Sequence, residues 1–257
     1  MEQSSKYLDA DSAASIILSF RNAGNKLIIL DYDGTLVPFR CEPEKALPDD
    51  DLKDLLRQMS IISNLDLVII SGRNSSFLES IFGDINVFLF AEHGASHRID
   101  DVWRSIETDT TWKEEIASIV RESVDKTPGS DIEIKQNSIV WHFRKSDSVQ
   151  AETEASGLIM KLASVCNKNN LTIMKGRKIV EVKPSYYTKG TAIVSFFDLD
   201  RYDFILAAGD DVTDEDLFEE LPSEAIKIHV NKTSDVSDYS VRNSPDFVAF
   251  LKKLAGQ

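Results

Sequence analysis

The 257-residue chain is poor in cysteine, with Cys41 and Cys166 only, and poor in histidine, with four. Two cysteines cannot build a disulfide framework; they fit a reducing compartment, as packing or surface thiols. No apolar run approaches a membrane span: "LIIL", "LVII" and "FILAA" are all far too short. The opening "MEQSSKYLDADSAAS" is polar and acidic and has no apolar stretch of the kind a cleavable leader needs. Positive charge is also scarce, with 29 Lys and Arg against 43 Asp and Glu and a formal net charge of −14. That balance excludes non-specific binding to nucleic acid or to an anionic membrane. A soluble, cytoplasmic protein is the expectation. An anionic ligand would then need local positive charge or a bound cation.

Neither an internal repeat nor a low-complexity linker interrupts the chain. What is present is a regular alternation. "KLIIL", "LDLVIISGR" and "VFLFAEHG" read as continuous apolar strands, separated by amphipathic helices. Such strands are buried on both faces, so the pattern predicts a parallel sheet between helical layers. Asp49-Asp50-Asp51 fits a helix N-terminus and not a metal site. After His97 the pattern changes to hairpin, helix, hairpin, helix, hairpin, an α+β arrangement with an antiparallel sheet. After Pro184 the alternation resumes. The expectation is an α/β core split into residues 1–97 and 185–257, with an α+β insert at 98–184.

In open parallel sheets, functional groups collect beyond the carboxyl ends of the strands. "DYDGT", "SGR", "EHG" and "GDDVTDE" all fall at such ends, and "KG" opens a helix. Alone, each reads as well as a turn or a helix cap. Together they form a chemical device. Asp31 and Asp33, with Asp210, Asp211 or Asp214, supply hard oxygen ligands of the kind magnesium (Mg2+) takes. Such an ion would relieve the cost of burying two acids at a strand end and offset the net negative charge where a phosphate approaches. Asp31 is placed to attack phosphorus, and Asp33 to move the proton. Thr35, Ser71 with its neighbour Gly72, and Lys189 are candidates to hold the phosphoryl oxygens. Arg73 reads as a loop-positioning or helix-capping residue. Trp103, Trp112 and Trp141 read as core or rim of the insert, and His142 and His229 as structural.

In this order and spacing, "DYDGTL", "SGR", "KG" and "GDDVTDE" resemble the four motifs of the haloacid-dehalogenase (HAD) superfamily. With "AEHGA", "WHFR", "GRKIVEVKP" and "TKGTA", the chain resembles the trehalose-6-phosphate phosphatases from Leu30 to Phe218. The resemblance implies a Rossmann-like core with a cap, and magnesium-dependent hydrolysis of trehalose 6-phosphate through an aspartyl-phosphate. It implies Asp31 as nucleophile and Asp33 as acid/base, with Asp33 reaching the metal through its backbone carbonyl. Asp210 would be on the metal, with Asp211 and Asp214 acting directly or through water. It further implies that the insert recognises sugar through Glu181 and Lys183, with His93, Arg144 and Arg177 as further contacts. Glu181 and Lys183 alternate with Val180 and Val182, so both polar side chains share one strand face. The implied partners are a small sugar phosphate and a trehalose-6-phosphate synthase, separate or fused. Other readings are a related sugar phosphatase, for sucrose 6-phosphate or a glycosylglycerate phosphate, an inactive regulatory module of a synthase complex, or a phosphomutase-like transferase.

Overall fold

A computed structural model describes residues 5–40, 42, 45–107, 109–176 and 178–257. Cys41 and Arg177 lie outside the described residues. The chain divides into two units, Met1–Ser105 with Tyr187–Gln257, and Ile106–Tyr186.

In chain order the first unit begins with β1 (Lys6–Tyr7), α1 (Ala10–Asn22), β2 (Lys26–Asp31), α2 (Asp50–Ser60) and β3 (Leu65–Ile70). It continues with α3 (Ser75–Phe82), β4 (Phe88–Ala91), β5 (Ser96–Ile99) and β6 (Val102–Ser105). The second unit holds α4 (Lys113–Lys126), β7 (Asp131–Ile134), β8 (Ile139–His142), α5 (Ser148–Lys168), β9 (Leu171–Gly176) and β10 (Ile179–Pro184). The chain returns to the first unit with α6 (Lys189–Phe196), β11 (Phe204–Gly209), α7 (Val212–Glu220), β12 (Ile226–Val230), β13 (Tyr239–Val241) and α8 (Ser244–Leu254).

Among the described residues, the first unit forms a sheet in the order β1-β13-β12-β11-β2-β3-β4-β5-β6. Its strands are parallel from β1 to β4; β5 and β6 add an antiparallel edge. The apolar strands divide their side chains between two cores. Ile28 and Leu30 of β2 join Phe20, Leu56 and Phe247 from α1, α2 and α8, whereas Leu27 and Ile29 join Ile193 and Phe218 from α6 and α7. That two-sided burial is why Leu27–Leu30 of β2 and Leu67–Ile70 of β3 are an unbroken apolar run. The helix starts follow from local chemistry. Asp49 accepts from the Leu52 N–H at 2.8 Å and caps α2, and Asn74 accepts from the Phe77 N–H at 2.9 Å and caps α3.

The second unit is a four-stranded antiparallel sheet, β7-β8-β10-β9, packed on α4 and α5. Trp112 and Trp141 are buried in its core. Trp103 is not part of it; it packs against the larger core and donates from Nε1 to Glu79 at 2.8 Å.

The boundary between units differs from the expectation. The hairpin of β5 and β6 belongs to the first unit, so the break falls after Ser105 and not after residue 97. The cause is pairing: β5 runs antiparallel to β4, with Phe90 opposite His97, and extends the large sheet. At the far side the break falls at Tyr186–Tyr187 and not at 184–185.

Candidate active site

β2 and β11 are neighbours at the centre of the sheet, and their carboxyl ends meet where the strand order reverses. Asp31 is the last residue of β2, and Asp210 follows the last residue of β11. Lys189 is the first residue of α6, which Thr188 caps through a reciprocal pairing with Thr191. That start aims Lys189 at the strand ends. Its Nζ donates to Asp31 Oδ1 at 2.6 Å and to Asp214 Oδ1 at 2.8 Å, and all three residues are buried. The second oxygen of Asp214 accepts from the backbone N–H groups of Asp210 and Asp211, at 3.0 and 3.2 Å. Asp211 caps α7, accepting from the Thr213 N–H at 2.8 Å and the Thr213 hydroxyl at 2.6 Å. The turn after the strand thus doubles as the helix start.

Two glycines permit this crowding. Gly34 has φ +90°, and a Cβ there would stand 2.0 Å from Asp210 Oδ2. A Cβ on Gly209 would stand 1.9 Å from Asp214 Cγ. No side chain fits at either position.

The electrostatics are those of an acid cluster short of positive charge. Burial pushes the Asp31 carboxyl well above its usual range; Lys189 opposes this, while Asp214 and Asp210 add to it. Asp210 is pushed up to about 7, first by burial and then by Asp211 and Asp214. Asp214 rises to about 6, with burial ahead of the opposing pull of Lys189. Burial alone would depress Lys189, but Asp214 and Asp31 outweigh it and hold the amine charged, well above its ordinary value. Asp31, Asp210 and Asp214 each offer an oxygen within 4.8 Å of the others. The buried Asp31 Oδ2 has no hydrogen-bond partner among the described residues. Clustered carboxylates with an open lone pair and raised pKa values are the donor set a hard divalent cation takes. The residues therefore fit such an ion.

Asp33 stands apart from this cluster. Arg73 donates from Nε to Asp33 Oδ2 and from Nη2 to Asp33 Oδ1, both at 2.6 Å. Arg73 is thus more than a loop or cap residue. Ser71, which follows the last residue of β3, is buried, and its hydroxyl accepts from the Arg73 N–H at 3.1 Å. Thr35 is fully buried, and its hydroxyl has no hydrogen-bond partner among the described residues. His93 is buried with its ring against Gly72, where a Cβ would stand 2.7 Å from Nε2. The backbone at Glu92 and His93 is left-handed, with φ 49° and 58°, a conformation that costs non-glycine residues on the order of 1 kcal/mol each. Asn231, which the sequence reading passed over, directs its amide at Asp210 Oδ2, 3.5 Å away. Ser244 donates to the Gly34 carbonyl at 2.6 Å. Asn243 caps α8, accepting from the Asp246 N–H at 2.9 Å.

In the second unit, Val180 and Val182 point into the core formed with α4 and α5, so Glu181 and Lys183 lie on the opposite face of the sheet. Both are buried. Glu181 Oε1 accepts from the Ser138 hydroxyl at 2.6 Å and lies 3.5 Å from Lys135 Nζ. On the neighbouring strands, His142 Nε2 lies 2.8 Å from Glu133 Oε2. Ser138, Lys135 and Glu133 carry no motif signal of their own; only the register of β7, β8 and β10 brings them beside Glu181. Arg144 follows β8 and is half-buried.

This is an α/β fold of the haloacid-dehalogenase type. The family model for trehalose-phosphatase matches residues 29–247. A bifunctional trehalose-6-phosphate synthase/phosphatase of Thermoproteus tenax is 34% identical over 257 residues, covering 99% of this chain and 35% of that protein. A trehalose-phosphatase of Schizosaccharomyces pombe is 34% identical over 257 residues, covering 92% of this chain and 31% of its own. The solved C. albicans trehalose-6-phosphate phosphatase C-terminal domain superposes with TM-score 0.89 at 27% identity, covering 98% of this chain and 99% of that one. The chain belongs to the trehalose-phosphatase family. It spans about a third of the length of the curated relatives it matches. Among the described residues no helix is long and apolar enough to cross a membrane.

Proposed function

We propose that this protein hydrolyses trehalose 6-phosphate to trehalose and inorganic phosphate, with Mg2+ as cofactor and Asp31 as nucleophile. The observation that carries the reading is the buried Asp31–Lys189–Asp214 chain, with one Asp31 oxygen left open beside Asp210. Asp31, Asp210 and the backbone carbonyl of Asp33 would hold the ion. Both oxygens of Asp214 are already committed to Lys189 and to the loop backbone, so Asp214 supports the site from behind. When bound, the ion supplies positive charge to the acid cluster and to the phosphoryl oxygens.

The protein's own groups account for the rest. Lys189 keeps its charge and faces the nucleophile, so it is placed to hold a phosphoryl oxygen while Asp31 attacks phosphorus. The Ser71 hydroxyl and the unpartnered Thr35 hydroxyl are further donors for phosphoryl oxygens. The sugar oxygen leaves with a proton from Asp33 as the aspartyl-phosphate forms. Asp33 then takes a proton from the water that releases phosphate and regenerates Asp31. Sugar recognition falls to Glu181 and Lys183, an acid and a base on one strand face, with His93, Arg144 and Arg177 as further contacts. A synthase, fused or separate, is the proposed partner. The name of the T. tenax relative, which couples synthase and phosphatase, supports this.

Phosphate release from trehalose 6-phosphate, glucose 6-phosphate and sucrose 6-phosphate, measured side by side with Mg2+ and with chelator, tests the reading. Trehalose 6-phosphate should be the best substrate, and chelator should abolish turnover. A faster rate on sucrose 6-phosphate would reassign the substrate. No phosphate release from any of them would remove the phosphatase reading.

A further inference from the structure

Arg73 is held on every side. Its N–H donates to the Ser71 hydroxyl at 3.1 Å, and its carbonyl accepts from the Glu92 N–H at 2.8 Å. Its guanidinium lies over the Phe77 ring, 4.4 Å from the centroid. The same guanidinium grips both oxygens of Asp33 at 2.6 Å, with the two side chains only 17% and 30% exposed. A planar fork on a carboxylate fixes direction as well as distance, which a point charge cannot do.

The carboxylate so held is the one the phosphatase reading needs as proton carrier. While both oxygens face Arg73, neither is turned to a leaving group, and Asp33 is not among the acids gathered at Asp31. We infer that Arg73 is a positioning residue that keeps Asp33 in a standby orientation and serves as the pivot from which it swings to the reacting oxygen. Of the two hydrogen bonds, one opens to free an oxygen for the proton transfer. The other persists and limits the search for the productive rotamer. The inference rests on the phosphatase reading but assigns a role to a residue that acts through the side chain of Asp33. Its backbone contact to Ser71 ties the standby position of Asp33 to the loop proposed to hold phosphate.

A double-mutant cycle on kcat tests it, with Arg73→Ala, Asp33→Asn and the pair, all at saturating Mg2+. Acid–base groups contribute roughly 10²–10⁴-fold, so Asp33→Asn should lower kcat by that order, and Arg73→Ala by about tenfold or more with little change in KM. The double variant should be no slower than Asp33→Asn alone, because Arg73 acts only through Asp33. Arg73→Lys should recover only part of the loss. A thermal-unfolding cycle on the same proteins needs no turnover and should show the pair as coupled. The inference is overturned if Arg73→Ala costs its full factor again in the Asp33→Asn background, or acts through KM. Full recovery by lysine, or an uncoupled pair in unfolding, would overturn it too. A wild-type protein that releases no phosphate from any sugar phosphate refutes the phosphatase reading, and the inference falls with it. A working wild type with an additive cycle refutes the inference alone.

Discussion

Buried acids occur in both units, but their surroundings differ. At the carboxyl end of the large sheet, Asp31, Asp210 and Asp214 crowd one lysine, and all three carboxyl groups lie above their ordinary values, with burial as the leading cause. On the face of the small sheet opposite its helices, Glu181 and Glu133 each have a counterpart. Glu181 accepts from Ser138 and faces Lys135, and Glu133 is held below its ordinary value by the hydrogen bond from His142. The first region carries an excess of negative charge that an added cation would relieve. The second is already matched, as a surface is when it reads hydroxyls by hydrogen bonding without changing them. The contrast supports the proposal that the first carries the chemistry and the second the recognition.

The largest effect is expected at the acid cluster. Asp31→Asn should lower phosphate release by at least about a thousandfold, as loss of a nucleophile does. Circular dichroism should show the fold retained. An asparagine variant with near-normal turnover would end the nucleophile assignment.

On the small sheet, Glu181→Gln keeps shape and removes charge. A hydrogen bond to a charged group is worth roughly 1.5–3 kcal/mol, so kcat/KM for the sugar phosphate should fall by about tenfold to a hundredfold. Turnover of p-nitrophenyl phosphate, which offers no sugar hydroxyls, should not change. Equal losses on both substrates would mean that Glu181 supports the fold and does not read sugar.

The acid cluster also carries a cost in stability. Burial, with Asp211 and Asp214, pushes Asp210 up to about 7 from an ordinary 3.8, so between those pH values the folded state holds a proton that the unfolded chain has released. Stability of the metal-free protein must then fall as pH rises from about 4 to about 7, with the penalty in place above that. Asp210→Asn should stabilise the metal-free protein near pH 8 by about 1–2 kcal/mol, discounted for the group's partial exposure, and have little effect near pH 4. Thermal unfolding at the two pH values reads this directly. A variant no more stable at the higher pH would show that the cluster is relaxed without metal.

The smallest effect lies in the second unit's core. Burial pushes the Cys166 thiol up to about 11. In a Cys41→Ser background, iodoacetamide should label Cys166 only as fast as the protein unfolds. Rapid labelling of the folded protein would mean that the α4–α5 layer opens.

The layered core and the acid cluster were legible because each is written locally. Continuous apolar runs mark strands buried on both faces, and Asp31, Ser71, Asp210 and Lys189 stand where those runs end or where a helix begins. What was not legible depends on register between distant segments. Arg73 and Asp33 are 40 positions apart, and only the pairing of β2 with β3 sets their loops side by side. Ser138 meets Glu181 only through the pairing of β8 with β10. The hairpin at Ser96–Ser105 was visible as a hairpin, but not the sheet it joins, since alternation says nothing about which edge accepts it. The two-residue β1 is too short to leave a pattern, and it exists because Lys6 and Tyr7 pair with β13.

In the proposed reaction Asp31 carries the phosphoryl group. Acid-quenching the enzyme during turnover of trehalose 6-phosphate with Mg2+, followed by mass spectrometry of the peptide containing Asp31, tests it. One phosphoryl adduct is expected on Asp31, absent from Asp31→Asn and absent when the metal is chelated. A phosphoryl adduct on another residue, or one that persists at position 31 in the asparagine variant, would contradict it.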